Sequence, residues 1–96
     1  MPIIKTLKGF TPKLGNLAFL AENAVIIGDV EIGDQSSVWY GVVIRGDVHS
    51  IRIGKRSNIQ DLVMVHCTFE YSPTIVGDDV TVGHGAVIHG CEIKDR

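Results

Sequence analysis

An aliphatic residue recurs every six positions along most of this chain, at Leu20, Ile26, Ile32, Val38 and Ile44, then at Ile53, Ile59 and Val65, then at Val76, Val82 and Ile88. Only two spacings break the period. Six residues match neither the 3.6 of a helical turn nor the alternation of a lone half-buried strand. Four positions after each aliphatic residue stand Ala24, Val30, Ser36, Val42, Val48, Ser57, Val63, Phe69, Val80, Ala86 and Glu92, mostly small residues or Val. With Gly and Asp recurring between the aliphatic runs, the pattern predicts short strands joined by tight turns.

Three such strands close one coil of a triangular prism, about 18 residues long, whose aliphatic positions stack inside as ladders. Call the faces a, b and c, with face a at Leu20, Val38, Ile59 and Val82, and face b at Ile26, Ile44, Val65 and Ile88. The two breaks are a three-residue insertion after the Ile44 strand and a five-residue insertion after the Val65 strand. Both fall at the corner between faces b and c, where a solenoid tolerates loops because they leave the stacked core undisturbed.

The repeat divides the chain into an N-terminal capping segment, residues 1–19, and a repeat domain, residues 20–96. Ile3, Ile4, Leu7 and Phe10 supply apolar surface for the cap, with Thr11-Pro12 as a turn. At the other end the frame is still running through Cys91, Glu92 and Ile93, so further coils are expected to cover the last strand edge in a longer protein. About three and a half coils are present.

Composition narrows the function. Ninety-six residues with 45% apolar and 21% charged content suit one small globular domain. A formal charge of −2 offers no attraction for nucleic acid or an anionic membrane. No run approaches the roughly 20 apolar residues of a membrane helix. Lys5 and Lys8 interrupt the opening MPIIKTLKGF, which therefore lacks the core of a secretory signal, and a cytoplasmic location is expected. Cys67 and Cys91 form no Cys-x-x-Cys pair and read as buried thiols.

Chemistry concentrates in the histidines. His66 and His89 each follow a face-b aliphatic residue, and once the five-residue insertion is removed they lie one coil apart. Strands about 4.8 Å apart bring two such imidazoles within reach of one metal ion. Arg45 falls one coil below His66 on the same ladder. His84 sits on face a above Asp61, across a filled core from the other two, which suggests a site shared between subunits. In a cyclic trimer, face b of one chain would meet face a of the next, giving three neutral nitrogens and an open position for water. A lone histidine is more often a surface or hydrogen-bonding residue. Three at in-register or facing positions, beside Arg45, Asp47, Gln60 and Asp61, favour a metal site. His49 has no ladder partner.

The signature in IGDQSS, IGKRSN and VGDDVT resembles that of the hexapeptide-repeat proteins, and this resemblance implies an all-β fold coiled as a left-handed parallel β-helix. More specifically, VIRGDV, NIQD, VH and VGHGAVIHGC, in that order, resemble the γ-class carbonic anhydrase family over nearly the whole chain. The resemblance implies metal ligands at His66, His84 and His89, and an Arg45–Asp61 pair across the subunit boundary. It also implies that Asp47 and Gln60 line the water position.

Two departures stand out. Val48 occupies the place of a catalytic glutamate, and only Cys67 to Thr74 stands where the family carries a long acidic loop. Glu70, in that short loop, reads first as an ordinary solvated loop acid, and it is also the nearby acid that could pass protons to solvent. The expected function is a zinc lyase interconverting carbon dioxide and bicarbonate, with iron or cobalt as other possible ions. The alternatives are a hexapeptide-repeat acyltransferase using an acyl thioester, and a silent metal-stabilised trimeric scaffold. Trp39 and Tyr40 are expected to pack at a subunit interface, and Asp29, Asp34, Asp78 and Asp79 to serve turns.

Overall fold

The computed structural model describes residues 1–68 and 72–96, and among them there is no helix. All named strand pairings are parallel, and the chain winds about four turns of a β-helix of the left-handed type. Among the described residues no helix is long and apolar enough to cross a membrane.

Face a is a four-stranded ladder of two-residue strands: β3 (Phe19–Leu20), β5 (Ser37–Val38), β7 (Asn58–Ile59) and β10 (Thr81–Val82). Leu20, Val38, Ile59 and Val82 are register partners along it. The other two faces share strands, because β4 (Val25–Ile32) and β6 (Val43–Ile53) run from face b round the corner into face c. Face b continues through β8 (Met64–His66) and β11 (Val87–His89), and face c through β9 (Thr74–Val76) and β12 (Glu92–Ile93). On face b Ile26, Ile44, Val65 and Ile88 are in register. On face c Ile32, Ile53, Val76 and Ile93 are. Ahead of Leu20, β1 (Ile3–Lys5) pairs with Val25–Ile27 and β2 (Lys13–Leu14) pairs with Glu31–Ile32.

The core is the sum of these ladders, with Ile26, Val38, Ile44, Ile59 and Val65 wholly removed from solvent. At the second ladder position the structure corrects one reading of the repeat. Ile51, not Val48, stands beside Val30, and Thr74 stands beside Ile51. The three extra residues bulge out before the strand resumes, leaving Val48 half-buried at the edge of the core.

The turns leading from face c to face a are stitched coil to coil. Asp34 Oδ1 accepts from Asn16 N at 2.8 Å, Asp78 Oδ1 from Lys55 N at 2.7 Å, and Asp95 Oδ1 from Asp78 N at 2.8 Å. Gln35, Arg56 and Asp79 take left-handed φ values of 60°, 55° and 57° at the same corner. Arg56 also donates Nε and Nη2 to Asp79 across one coil spacing. Inside the corner, Ser57 Oγ donates to the Gly77 carbonyl and accepts from Val80 N, which satisfies a buried hydroxyl. Gly54 needs its missing side chain, because a Cβ there would lie 2.6 Å from the backbone of Gly77.

Since Ile44 is wholly buried between Ile26 and Val65, Ile44→Ala should lower the unfolding free energy by about 2–5 kcal/mol. Denaturant melts would measure it, and a loss below about 0.5 kcal/mol would contradict a close-packed ladder.

Candidate metal centre

The sequence-predicted site residues divide into two groups on different faces. Arg45, Asp47, His66 and His89 gather where face b turns toward face c, while Gln60, Asp61 and His84 stand at the end of face a. The division follows from the period, since strands of one face stack in register and adjacent faces diverge around a filled core.

On the first group's side, β8 and β11 place His66 directly beside His89, with ring centroids 5.3 Å apart and planes inclined at 42°. Side chains one residue beyond a buried ladder position point outward, so both imidazoles leave the same face. His66 is half-buried and His89 exposed. Asp47, from the first insertion, reaches back so that its Oδ1 lies 2.7 Å from His66 Nε2, and its Oδ2 lies 3.5 Å from Arg45 Nη1.

Burial raises the Asp47 carboxyl, but the hydrogen bond from His66 and the charges of Arg45 and His66 outweigh it and hold the carboxyl below its ordinary value. An ionised carboxylate can only accept, so the shared proton belongs to His66 Nε2. Arg45 Nε is buried and has no hydrogen-bond partner among the described residues.

The second group is more open. His84 Nδ1 lies 3.5 Å from Asp61 Oδ1, and the His84 side chain is 70% exposed. Gln60 is half-buried on the same face. Trp39 and Phe19 pack nearby in tilted contact at 4.9 Å, and Trp39 Nε1 donates to Ser37 Oγ. Tyr40 and Leu62 are exposed. Glu70 lies outside the described residues.

Two neutral imidazoles side by side are a fitting donor set for zinc or another borderline ion, but they are two ligands of the four that zinc takes. Among the described residues of one chain, no group of three or more His, Cys, Asp or Glu could hold a metal. The donors therefore fit as half of a site. Sequence arithmetic missed two features of this region. One is the Asp47–His66 bond, which depends on how the insertion folds back. The other is the buried Thr74 behind the pair, whose one signal is a hydroxyl on a ladder that otherwise carries Val30 and Ile51.

Comparison with known proteins gives a consistent picture. A family profile described as "Bacterial transferase hexapeptide (six repeats)" matches residues 11–46. The chain is 66% identical over 77 residues to a Methanocaldococcus jannaschii protein named "Probable carbonic anhydrase", covering 80% of this chain and 48% of that one. It is 48% identical over 91 residues to the Arabidopsis thaliana protein "Gamma carbonic anhydrase 3, mitochondrial", covering 90% of this chain and 35% of that one. Among solved structures, a hexapeptide transferase family protein from Anaplasma phagocytophilum superposes with a TM-score of 0.88 at 43% identity, covering 94% of this chain and 52% of that one. The chain thus spans about a third to a half of the length of these curated relatives.

The contacts of Asp47 with His66 and Arg45 set a pH expectation. The folded pKa of Asp47 is depressed, so its stabilising contribution is complete above the unfolded value of about 3.9 and drains away as pH falls through the lower folded value. Carboxyl-carbon NMR should show Asp47 titrating below about 3.9. In His66→Ala the midpoint should rise, because burial then acts with less opposition, and a midpoint that fails to move would remove the bond from the account.

Proposed function

The chain belongs to the γ-class carbonic anhydrase-like family of hexapeptide-repeat proteins, and from that premise we propose that it forms half-sites of a zinc centre completed between subunits, interconverting carbon dioxide and bicarbonate. The observation that carries this reading is the His66–His89 pair on one face with His84 on another. A cyclic trimer brings face b of one chain against face a of the next, so His66 and His89 would hold the ion together with His84 of a second chain. Iron or cobalt would suit the same nitrogen donors.

The ion, when bound, supplies Lewis acidity that brings the pKa of a coordinated water down to about 7. The chain's own groups do the rest. Asp47 orients the His66 ring through its 2.7 Å contact and presents a carboxylate on the open side of the pair. Gln60, on the opposing face, offers an amide that can both donate to and accept from a water or a carbon dioxide oxygen. The Arg45 side chain is 41% exposed, which leaves its guanidinium room to pair with Asp61 of a neighbouring chain and so supports a bracing role. Glu70 is assigned the passage of protons to solvent. Exposed Tyr40 and Leu62 fit the apolar part of the same boundary.

One observation favours a second reading. The matching profile and the superposing structure both carry transferase names, so an acyl-thioester acyltransferase using a single interfacial histidine is the alternative. Thioester turnover that survives complete metal removal would select it. Metal binding without hydratase activity would instead select a silent scaffold, in keeping with Val48.

Two outcomes test the zinc centre. An ion bound only by the native assembly stabilises it by mass action, about 2.7 kcal/mol at a free concentration one hundred times Kd, so chelation should lower the melting temperature. An unchanged melting temperature after verified metal removal would count against the site.

The division between chains has a sharper test, in which His66→Ala and His84→Ala chains, each poor at binding metal alone, are unfolded together and reassembled in equal amounts. Each interface then draws its two faces independently, and about a quarter of sites should regain all three histidines. Recovery of no binding would place the ligands within one chain.

A further inference from the structure

We propose that Thr74 is a positioning residue that sets the spacing of the His66 and His89 rings, acting through Gly90 as a clamp between their two strands. The inference rests on the reading of those histidines as a metal pair, and it concerns what lies behind them.

Thr74 is wholly buried, a polar side chain on the ladder that carries Val30 and Ile51. A buried hydroxyl costs stability unless both its donor and acceptor functions are used. Here both are. Thr74 Oγ1 donates to the backbone carbonyl of His66 and accepts from the backbone N–H of Gly90 at 2.9 Å. The first partner is the backbone of one ligand and the second is the residue after the other ligand. One hydroxyl from face c therefore joins the ends of two face-b strands.

Gly90 supplies an independent sign that this joint is built. It has a left-handed φ of 57°, and a Cβ there would press into Thr68, 3.1 Å from that residue's own Cβ. A side chain would be both conformationally strained and sterically blocked. The Gly90 N–H also lies 3.2 Å from the His66 carbonyl, so His66 O, Gly90 N and Thr74 Oγ1 form a closed triangle of hydrogen bonds. Parallel pairing closes at His89↔His66 with the Gly90–His66 bond, and the Thr74 hydroxyl adds a second tie at the same strand ends. The triangle fixes them where the second insertion begins.

Metal sites depend on such outer contacts, because imidazole nitrogens must converge within a few tenths of an ångström, and loss of a supporting hydrogen bond typically weakens metal affinity roughly 10–100-fold. Thr74 touches neither ring nor ion, so its effect travels through the backbone positions of His66 and Gly90.

The test compares wild type, Thr74→Val, which removes the hydroxyl at nearly constant volume, and Thr74→Ser, which restores it. Zinc and cobalt titrations give the affinity. In the metal-free protein, NMR gives the His66–His89 ring contacts and the exchange rate of the Gly90 amide. Thr74→Val should weaken binding about 10–100-fold, speed Gly90 exchange and loosen the ring contacts, while Thr74→Ser should stay within about threefold of wild type.

Unchanged affinity and exchange in Thr74→Val would overturn the proposal, as would equal losses in Val and Ser variants that track melting temperature alone. If Thr74→Val does not fold, a rapidly exchanging Gly90 amide in wild type would overturn it. If wild type binds neither ion, the zinc reading fails, and unperturbed ring contacts in metal-free Thr74→Val would overturn the clamp separately.

Discussion

Everything in this molecule hangs on in-register parallel stacking of one coil on the next. Val38 can be buried only because Leu20 lies below it and Ile59 above, and the same holds for Ile44 between Ile26 and Val65. A side chain at the wrong phase of the repeat would face solvent along its whole strand. The core accordingly tolerates no extra residue on a face, and insertions are confined to corners. Both sequence breaks occupy the corner between faces b and c, and the first of them brings Asp47 to His66. The packing constraint and the placement of polar chemistry are the same fact.

This also explains why the ladders were legible in the sequence. Their register from Leu20 to Ile88 follows from counting sixes, and the adjacency of His66 and His89 follows from the same count. Counting fails where two aliphatic residues compete for one slot. Val48 and Ile51 both suit the second ladder, and only the way the insertion folds back decides for Ile51. The Asp47–His66 contact lay beyond reach for the same reason, because the path of a bulge is set by local hydrogen bonds, not by period. Thr74 was hidden by its neighbours: in a run read as a loop, a threonine looks like an ordinary loop residue, and its burial shows only once face c is closed around it.

The two faces of the candidate centre differ in how firmly they are held. The His66 side is anchored twice, by Asp47 in front and by the His66 carbonyl behind. The His84 side chain is mostly exposed and has one carboxylate 3.5 Å away. On the proposed reading, a braced His66 beside His89 meets a more exposed third ligand, and the entropy of ordering His84 falls to the assembly of the interface.

The carboxylate caps at the corner between faces c and a carry a different implication. Asp34 caps a turn in the coil before its own, and Asp78 and Asp95 do likewise. At three of the four junctions along this corner a coil borrows a hydrogen-bond acceptor from its successor, and at the fourth Lys55 stands where the Asp34 turn would find one. The dependence has a direction. Peeling away a later coil strips the backbone amide beneath it of its acceptor, whereas peeling away an earlier one costs its neighbour no cap. The loss of a later coil is passed down only where such a cap exists, from Asp95 to the Asp78 turn and from Asp78 to the Lys55 turn, and the relay stops at Lys55, which has no carboxylate to lend.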